Sequence, residues 1–256
     1  MFTYYHIIWL VISALVIFIA LHLLLKYKPE IKQVFTVACV IAVVSELIKA
    51  FSAIDIVPSA DGSVMYPYIE GTFVPLHLCS IQIINIFIVR LAKDGPFKET
   101  LLAFMYPTCT AGAFMALLMP SLYTDSIEPY QSFISPIAYE YFGYHITLII
   151  LGLYIFLSKK VDIRPKHFWS TLGILAALAH ISLYLNSLFS VPTYVNGELK
   201  SVDFGANFFF TFQTPIGIAL TEKWHWFIYL AIIFSLAVLF VWLFYIPVFI
   251  RAKKNK

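Results

Sequence analysis

The chain has 256 residues, of which 61% are hydrophobic, 18% aromatic and only 12% charged. A soluble domain of this size carries about 25% charged residues, so the composition excludes an ordinary water-soluble enzyme and points to a membrane protein. The formal net charge of +3 traces to where the basic residues fall between apolar runs, and no basic helix suited to nucleic acid is present.

Seven apolar runs, near 4–25, 33–51, 74–92, 99–119, 137–157, 168–190 and 224–249, each approach the ~20 residues a spanning helix needs. The predicted fold is an all-α membrane protein, a seven-transmembrane helix bundle forming one integral membrane domain over residues 1–256. The first run is expected to stay as a span, because MFTYYHIIWL has no positive n-region and no small-residue cleavage site follows LHLLLKYK. The second carries Glu46 and Lys49. DIVPSADGSVMYPYIEG then reads as a connector, its Pro, Gly, Asp and Ser breaking any helix. FVPLHLCSIQ opens the third run with Pro75 and places His77, Cys79 and Gln82 just inside it. The fourth run holds Cys109, and SLYTDSIEPYQSFISP follows as a second connector. His145 lies in YFGYHITLII of the fifth run, and His180 and Asn186 lie in the sixth. Residues 204–215, within NGELKSVDFGANFFFTFQTP, are too short to span and are interrupted by Gly205, Asn207 and Pro215. They read as a short interfacial or re-entrant segment, which needs other protein over its backbone.

Basic residues sort by loop. Lys26, Lys28 and Lys32 separate runs one and two; Arg90, Lys93 and Lys98 separate three and four; Lys159, Lys160, Arg164 and Lys166 separate five and six; Arg251, Lys253, Lys254 and Lys256 form the tail. These account for 14 of the 17 basic residues. The positive-inside rule then puts the N-terminus outside and the C-terminus in the cytoplasm, as an odd number of spans requires, and the localisation expected is the cell membrane.

Counting depth from the outer ends, Glu46, Lys49, Cys79, His145, His180 and Asn186 fall in one slab beneath the outer surface. A carboxyl or imidazole inside a span is costly and by default marks a functional site or a paired interior position. Glu46 and His145 fall under that default, while other polar residues have a plainer alternative. Lys49 can snorkel to the interface, His77 can meet headgroups, a free Cys often serves as a small buried hydrophobe, and Gln82 and Asn186 can be interhelical glue. On a helix, His77 and Cys79 would point away from each other while Cys79 shares a face with Gln82, so a base for the thiol must come from another helix. His145 is the available imidazole, a thiol beside a histidine being a recognised nucleophile, and Glu46 would orient it or offset its charge.

The three cysteines all fall in apolar runs, where a disulfide framework is implausible. No Walker loop, dinucleotide glycine pattern, HExxH, CxxC or internal repeat occurs. No cofactor is called for, and a metal site built from His77, His145, Cys79 and Glu46 is disfavoured by the opposed faces of His77 and Cys79.

The PLHLC opening the third run, the ALLMP ending the fourth, YHITLIILGLYIF in the fifth and FGANFFFTFQTP before the seventh resemble the YwaF-type bacterial integral membrane proteins and their animal relative, transmembrane protein 164. The likeness runs over about residues 40–240 and includes the helix count. It implies an acyltransferase that moves fatty acyl chains between phospholipids through a cysteine and a histidine, which correspond here to Cys79 and His145. More remote relatives hydrolyse fatty-acid esters, so hydrolysis stays open. The implied partner is a membrane phospholipid or lysophospholipid. Separately from the resemblance, Glu46, Lys49, His77, Gln82, His180, Asn186 and Asn207 are expected to support the pair or bind substrate. The family's late motif carries Tyr and Lys where this chain has Phe208 or Phe209 and Thr214, which puts the headgroup in question. The alternatives are a proton- or cation-coupled transporter using Glu46, His77 and His145, or a membrane protein with no catalytic role.

Overall fold

A computed structural model describes residues 2–59, 61–215, 218 and 220–254. The helices are α1 (Tyr4–Tyr27), α2 (Ile31–Ala53), α3 (Leu78–Leu91), α4 (Pro96–Leu118), the short α5 (Leu122–Asp125), α6 (Pro136–Leu157), α7 (Lys166–Leu188) and α8 (Lys223–Lys254). Among the described residues six of them, all but α3 and α5, are long and apolar enough to cross a membrane.

The exception corrects the expected third span. Its apolar composition continues back to Val74, but the helix begins only at Leu78, with His77 as an extended N-cap. Residues Gly71–Phe73 form a separate 3-10 turn. Pro75 is the cause, because a proline biases the residue before it away from helical backbone, and Val74 is extended. The 14 residues of α3 rise only about 21 Å, short of the ~30 Å hydrocarbon core. Cys79 therefore sits on the first turn of its helix, not five residues along it.

α4 and α6 form the centre of the bundle and pack most extensively on each other. Their crossing is tight at Gly152, where a Cβ would meet the Thr110 hydroxyl and stand 2.9 Å from the Tyr106 carbonyl and 3.1 Å from the Thr110 nitrogen. A second detail locks α8 onto this pair. Pro107 lies inside α4 and has no N–H for the Ala103 carbonyl four residues earlier. The fully buried Tyr245 of α8 donates its hydroxyl to that carbonyl at 3.2 Å and meets the Thr171 hydroxyl of α7 at 3.2 Å. A carbonyl freed within a membrane needs such a partner.

The basic loops share one end of the bundle. Lys160 donates to the Lys28 carbonyl at 2.7 Å, Arg164 pairs with Glu99 at 2.8 Å, Arg90 reaches Thr36 at 2.6 Å, and Arg251 lies over the Phe156 ring. Lys256 of the basic tail lies outside the described residues.

At the other end, two connectors expected to be irregular contain antiparallel hairpins: β1 (Asp55–Pro58) with β2 (Met65–Tyr68), and β3 (Ser190–Val195) with β4 (Glu198–Phe204). Asn196 and Gly197, with φ of 54° and 82°, make the two-residue turn of the second hairpin, the left-handed pair that an Asn-Gly sequence favours. In the first hairpin the Ser59 hydroxyl, with that of Ser63, bonds the Asp61 carboxylate and holds its pKa down to about 2.

Candidate functional site

Polar side chains at the hairpin end fall into three groups. The first surrounds Cys79. Its sulfur lies over Gly112 of α4, where a Cβ would stand 3.5 Å from Sγ. From α6, the buried Tyr144 donates its hydroxyl to the Cys79 carbonyl at 3.1 Å. His145 follows Tyr144 in sequence and is itself 8% exposed. Its Nδ1 bonds the Tyr141 carbonyl at 2.6 Å. A carbonyl only accepts, so Nδ1 carries the proton and the neutral ring keeps a lone pair on Nε2. Tyr141 in turn donates its hydroxyl to the Ala116 carbonyl of α4 at 3.0 Å. The YFGYH segment thus ties α6 to α3 and α4 by two tyrosines. One turn below Cys79, the fully buried Gln82 donates to Thr108 at 3.2 Å and accepts from Asn85 at 3.1 Å. Gln82 joins α3 to α4, its hydrogen bonds going to Thr108 and Asn85. Cys39, Cys79 and Cys109 are all free thiols.

The second group holds the carboxyls. Glu46 is ion-paired with Lys49 one turn along α2, which answers the need for a compensating partner at that depth. Beside them Ser45 donates to Glu140 of α6. Sequence reasoning passed over Glu140, although a carboxyl four residues into an apolar run was a readable signal. The polar contacts of Glu46 and His145 go to different partners, Lys49 for one and the Tyr141 carbonyl for the other, and the expected bond orienting the imidazole comes from a backbone carbonyl instead.

The third group fastens the segment at 204–215. The fully buried Asn186 of α7 donates to the Phe208 carbonyl at 3.0 Å and the Thr211 hydroxyl at 2.8 Å, and accepts from the Phe208 N–H at 2.7 Å. Asn207 closes the loop on itself, accepting from Phe212 and Gln213 N–H at 3.1 and 3.2 Å. Phe209 and Phe210 are held at φ of 56° and 54°, a left-handed backbone that costs about 1–3 kcal/mol per bulky residue. Tyr229 of α8 secures the Phe210 carbonyl, and Trp226 donates to the Thr211 carbonyl at 2.9 Å. His77 is brought to this loop, its ring edge-on to Phe208 at 4.9 Å. His180 is brought to none of the three groups: it is exposed on α7 against Tyr184, at 5.4 Å between rings. Removing the Asn186 amide leaves the buried Phe208 N–H unpaired, while the Thr211 hydroxyl keeps Ser182 at 3.1 Å, so Asn186→Leu is expected to lower stability by about 1–3 kcal/mol. Thermal unfolding and protease cleavage within residues 190–222 would report it.

Two apolar surface grooves lie elsewhere. One, of about 350 Å³, runs between Leu47, Phe51 and Pro136; the other, of about 380 Å³, follows α8 from Ile228 to Leu239. Among the described residues no three His, Cys, Asp or Glu side chains are grouped to hold a metal ion.

Six long apolar helices define a multi-pass membrane protein. The sequence matches the TMEM164 family over residues 1–246, and the chain belongs to that family. No curated protein and no solved structure matches it.

Proposed function

We propose that this protein transfers or hydrolyses fatty acyl groups of membrane phospholipids, with Cys79 as nucleophile and His145 as base. The observation that carries the reading is the 3.1 Å bond from Tyr144 to the Cys79 carbonyl, which sets the backbone of the thiol beside the residue preceding the imidazole. Nε2 of His145 takes the thiol proton as sulfur attacks the ester carbonyl. The ester C–O bond breaks, and the imidazolium returns its proton to the departing lysolipid oxygen. An acceptor hydroxyl, from a second lysolipid or water, then gives its proton to Nε2 and attacks the thioester; the C–S bond breaks and the thiol is restored. Dividing the transfer into two steps lowers each barrier.

The orientation supporting this reading has the basic end in the cytoplasm and the site beneath the headgroups of the outer leaflet of the cell membrane. A proton path is less well supported, because Glu46, Glu140 and Lys49 form a local set with Ser45 at the same end. The protein, reconstituted with defined phospholipids and isotope-labelled lysophospholipids, should move acyl chains between them or release fatty acid, followed by mass spectrometry. Lipids unchanged after prolonged incubation would refute the proposal. Tyr144→Phe removes one hydroxyl and keeps the ring, so it should slow turnover about tenfold while the thermal midpoint stays near that of the parent protein.

A further inference from the structure

Among the described residues, Nδ1 of His6 and Nε1 of Trp9 are buried without a hydrogen-bond partner, and the buried Tyr123 hydroxyl beside them has hydrogen-bonding capacity to spare. His6 is fully buried and Trp9 is 5% exposed. They belong to one neighbourhood. His6 and Trp9 are three residues apart on α1 and so share a face. The His6 ring meets Tyr123 edge-on at 5.7 Å. Phe142 of α6 is touched by all three, stacked on Trp9 at 4.5 Å and in contact with His6 and Tyr123 at 6.5 and 6.4 Å. Ser132, whose own hydroxyl donates to the Pro129 carbonyl at 2.8 Å, is within reach to accept from the Tyr123 hydroxyl, which still leaves the tyrosine oxygen lone pairs to accept with.

The chemistry of the missing partner follows from the three atoms. His6 Nε2 bonds the Leu117 carbonyl at 2.8 Å, so Nε2 carries a proton, and in the neutral ring Nδ1 is an acceptor. The Trp9 indole N–H is a pure donor, and the Tyr123 hydroxyl is either. A carbonyl or phosphate oxygen would leave His6 unpaired, and an ammonium would leave Trp9 unpaired. Only a group that donates and accepts satisfies both.

We propose that His6, Trp9 and Tyr123 form a closed site for a single hydroxyl group, either a water molecule or the free alcohol of a lysolipid or other glycerol lipid. The hydroxyl donates to His6 Nδ1, accepts from Trp9 Nε1–H and exchanges its remaining hydrogen bond with Tyr123. Buried waters characteristically make about three such bonds. Occupied, the site joins α1 to α5 through polar contacts. This inference is independent of the chemistry proposed at Cys79.

The test uses the full chain in phospholipid nanodiscs with 15N-labelled tryptophan and histidine, the Trp9 indole signal being identified by its loss in Trp9→Phe. The Trp9 N–H should show a hydrogen-bonded chemical shift, and His6 Nδ1 should be unprotonated. Cross-peaks from that N–H to water would identify water, and cross-peaks to lipid glycerol protons would identify a lipid alcohol. Tyr123→Phe keeps the ring and removes one partner, and should speed indole proton exchange roughly fivefold. A Trp9 N–H with cross-peaks to protein protons alone, or one unaffected by Tyr123→Phe, would overturn the proposal.

Discussion

Cys79→Ala is expected to reduce acyl exchange to background, a loss of at least about a thousandfold, because a covalent route without its nucleophile has only binding and proton transfer left. The protein should still fold. Its sulfur rests at ordinary van der Waals distance from the Gly112 position, and losing one heavy atom from a half-buried site costs about 1 kcal/mol. Cys109 provides the control: it is a fully buried thiol on α4, and Cys109→Ala should retain activity. Cys79→Ser is a sharper probe, since it keeps shape and hydrogen bonding but replaces a thiol with a group much harder to ionise. A thiolate mechanism fails in that variant, whereas a structural role survives. If Cys79→Ala exchanged lipid at the parent rate, the covalent reading would be abandoned. Loss of function confined to substitutions of Glu46 or His145 would then favour a proton path.

Gly152→Leu is expected to prevent stable assembly of the bundle. A Cβ at this position already meets the Thr110 hydroxyl and two backbone atoms within 3.1 Å, and the backbone atoms cannot rotate aside. The Thr110 hydroxyl is tied to the Tyr106 carbonyl at 2.7 Å. Relief requires α4 and α6 to separate, which undoes the central packing of the bundle. Even Gly152→Ala, which gains up to about 1 kcal/mol of helix propensity, should be destabilising, because overpacking costs about 1–3 kcal/mol. Gly143→Ala isolates the propensity effect. On the same helix its Cβ would have nothing within 4 Å, so this variant should be neutral or slightly more stable. Size-exclusion profiles and thermal unfolding in detergent should rank Gly143→Ala, Gly152→Ala and Gly152→Leu in descending order. Equal stability of Gly143→Ala and Gly152→Leu would contradict the close crossing.

The apolar runs determined by themselves that the chain is a helical membrane protein, and six of the seven became helices long enough to span. They succeeded because twenty apolar residues in lipid leave the backbone no stable option but to bond itself. Composition misled only at 74–92, since apolarity shows what is buried in lipid and not where a helix starts; Pro75 set that boundary. The Asn196–Gly197 turn was equally readable, its two left-handed residues being a local signal, but the run of turn formers around it read as irregular loop. Basic residues also sorted by loop without any fold to guide them.

Only the tertiary structure decided which polar residues meet. Equal depth along different helices does not fix rotation about their axes, and rotation sends Glu46 to Lys49, leaves His180 outside on α7 and turns Asn186 onto the Phe208 loop. Glu140 entered the carboxyl group because α6 lies against α2 at Ser45. Tyr144 and Gly112 join Cys79 for a similar reason: a tyrosine hydroxyl and an absent side chain carry no chemical signature in sequence, and they acquire a role only when three helices pack around one thiol.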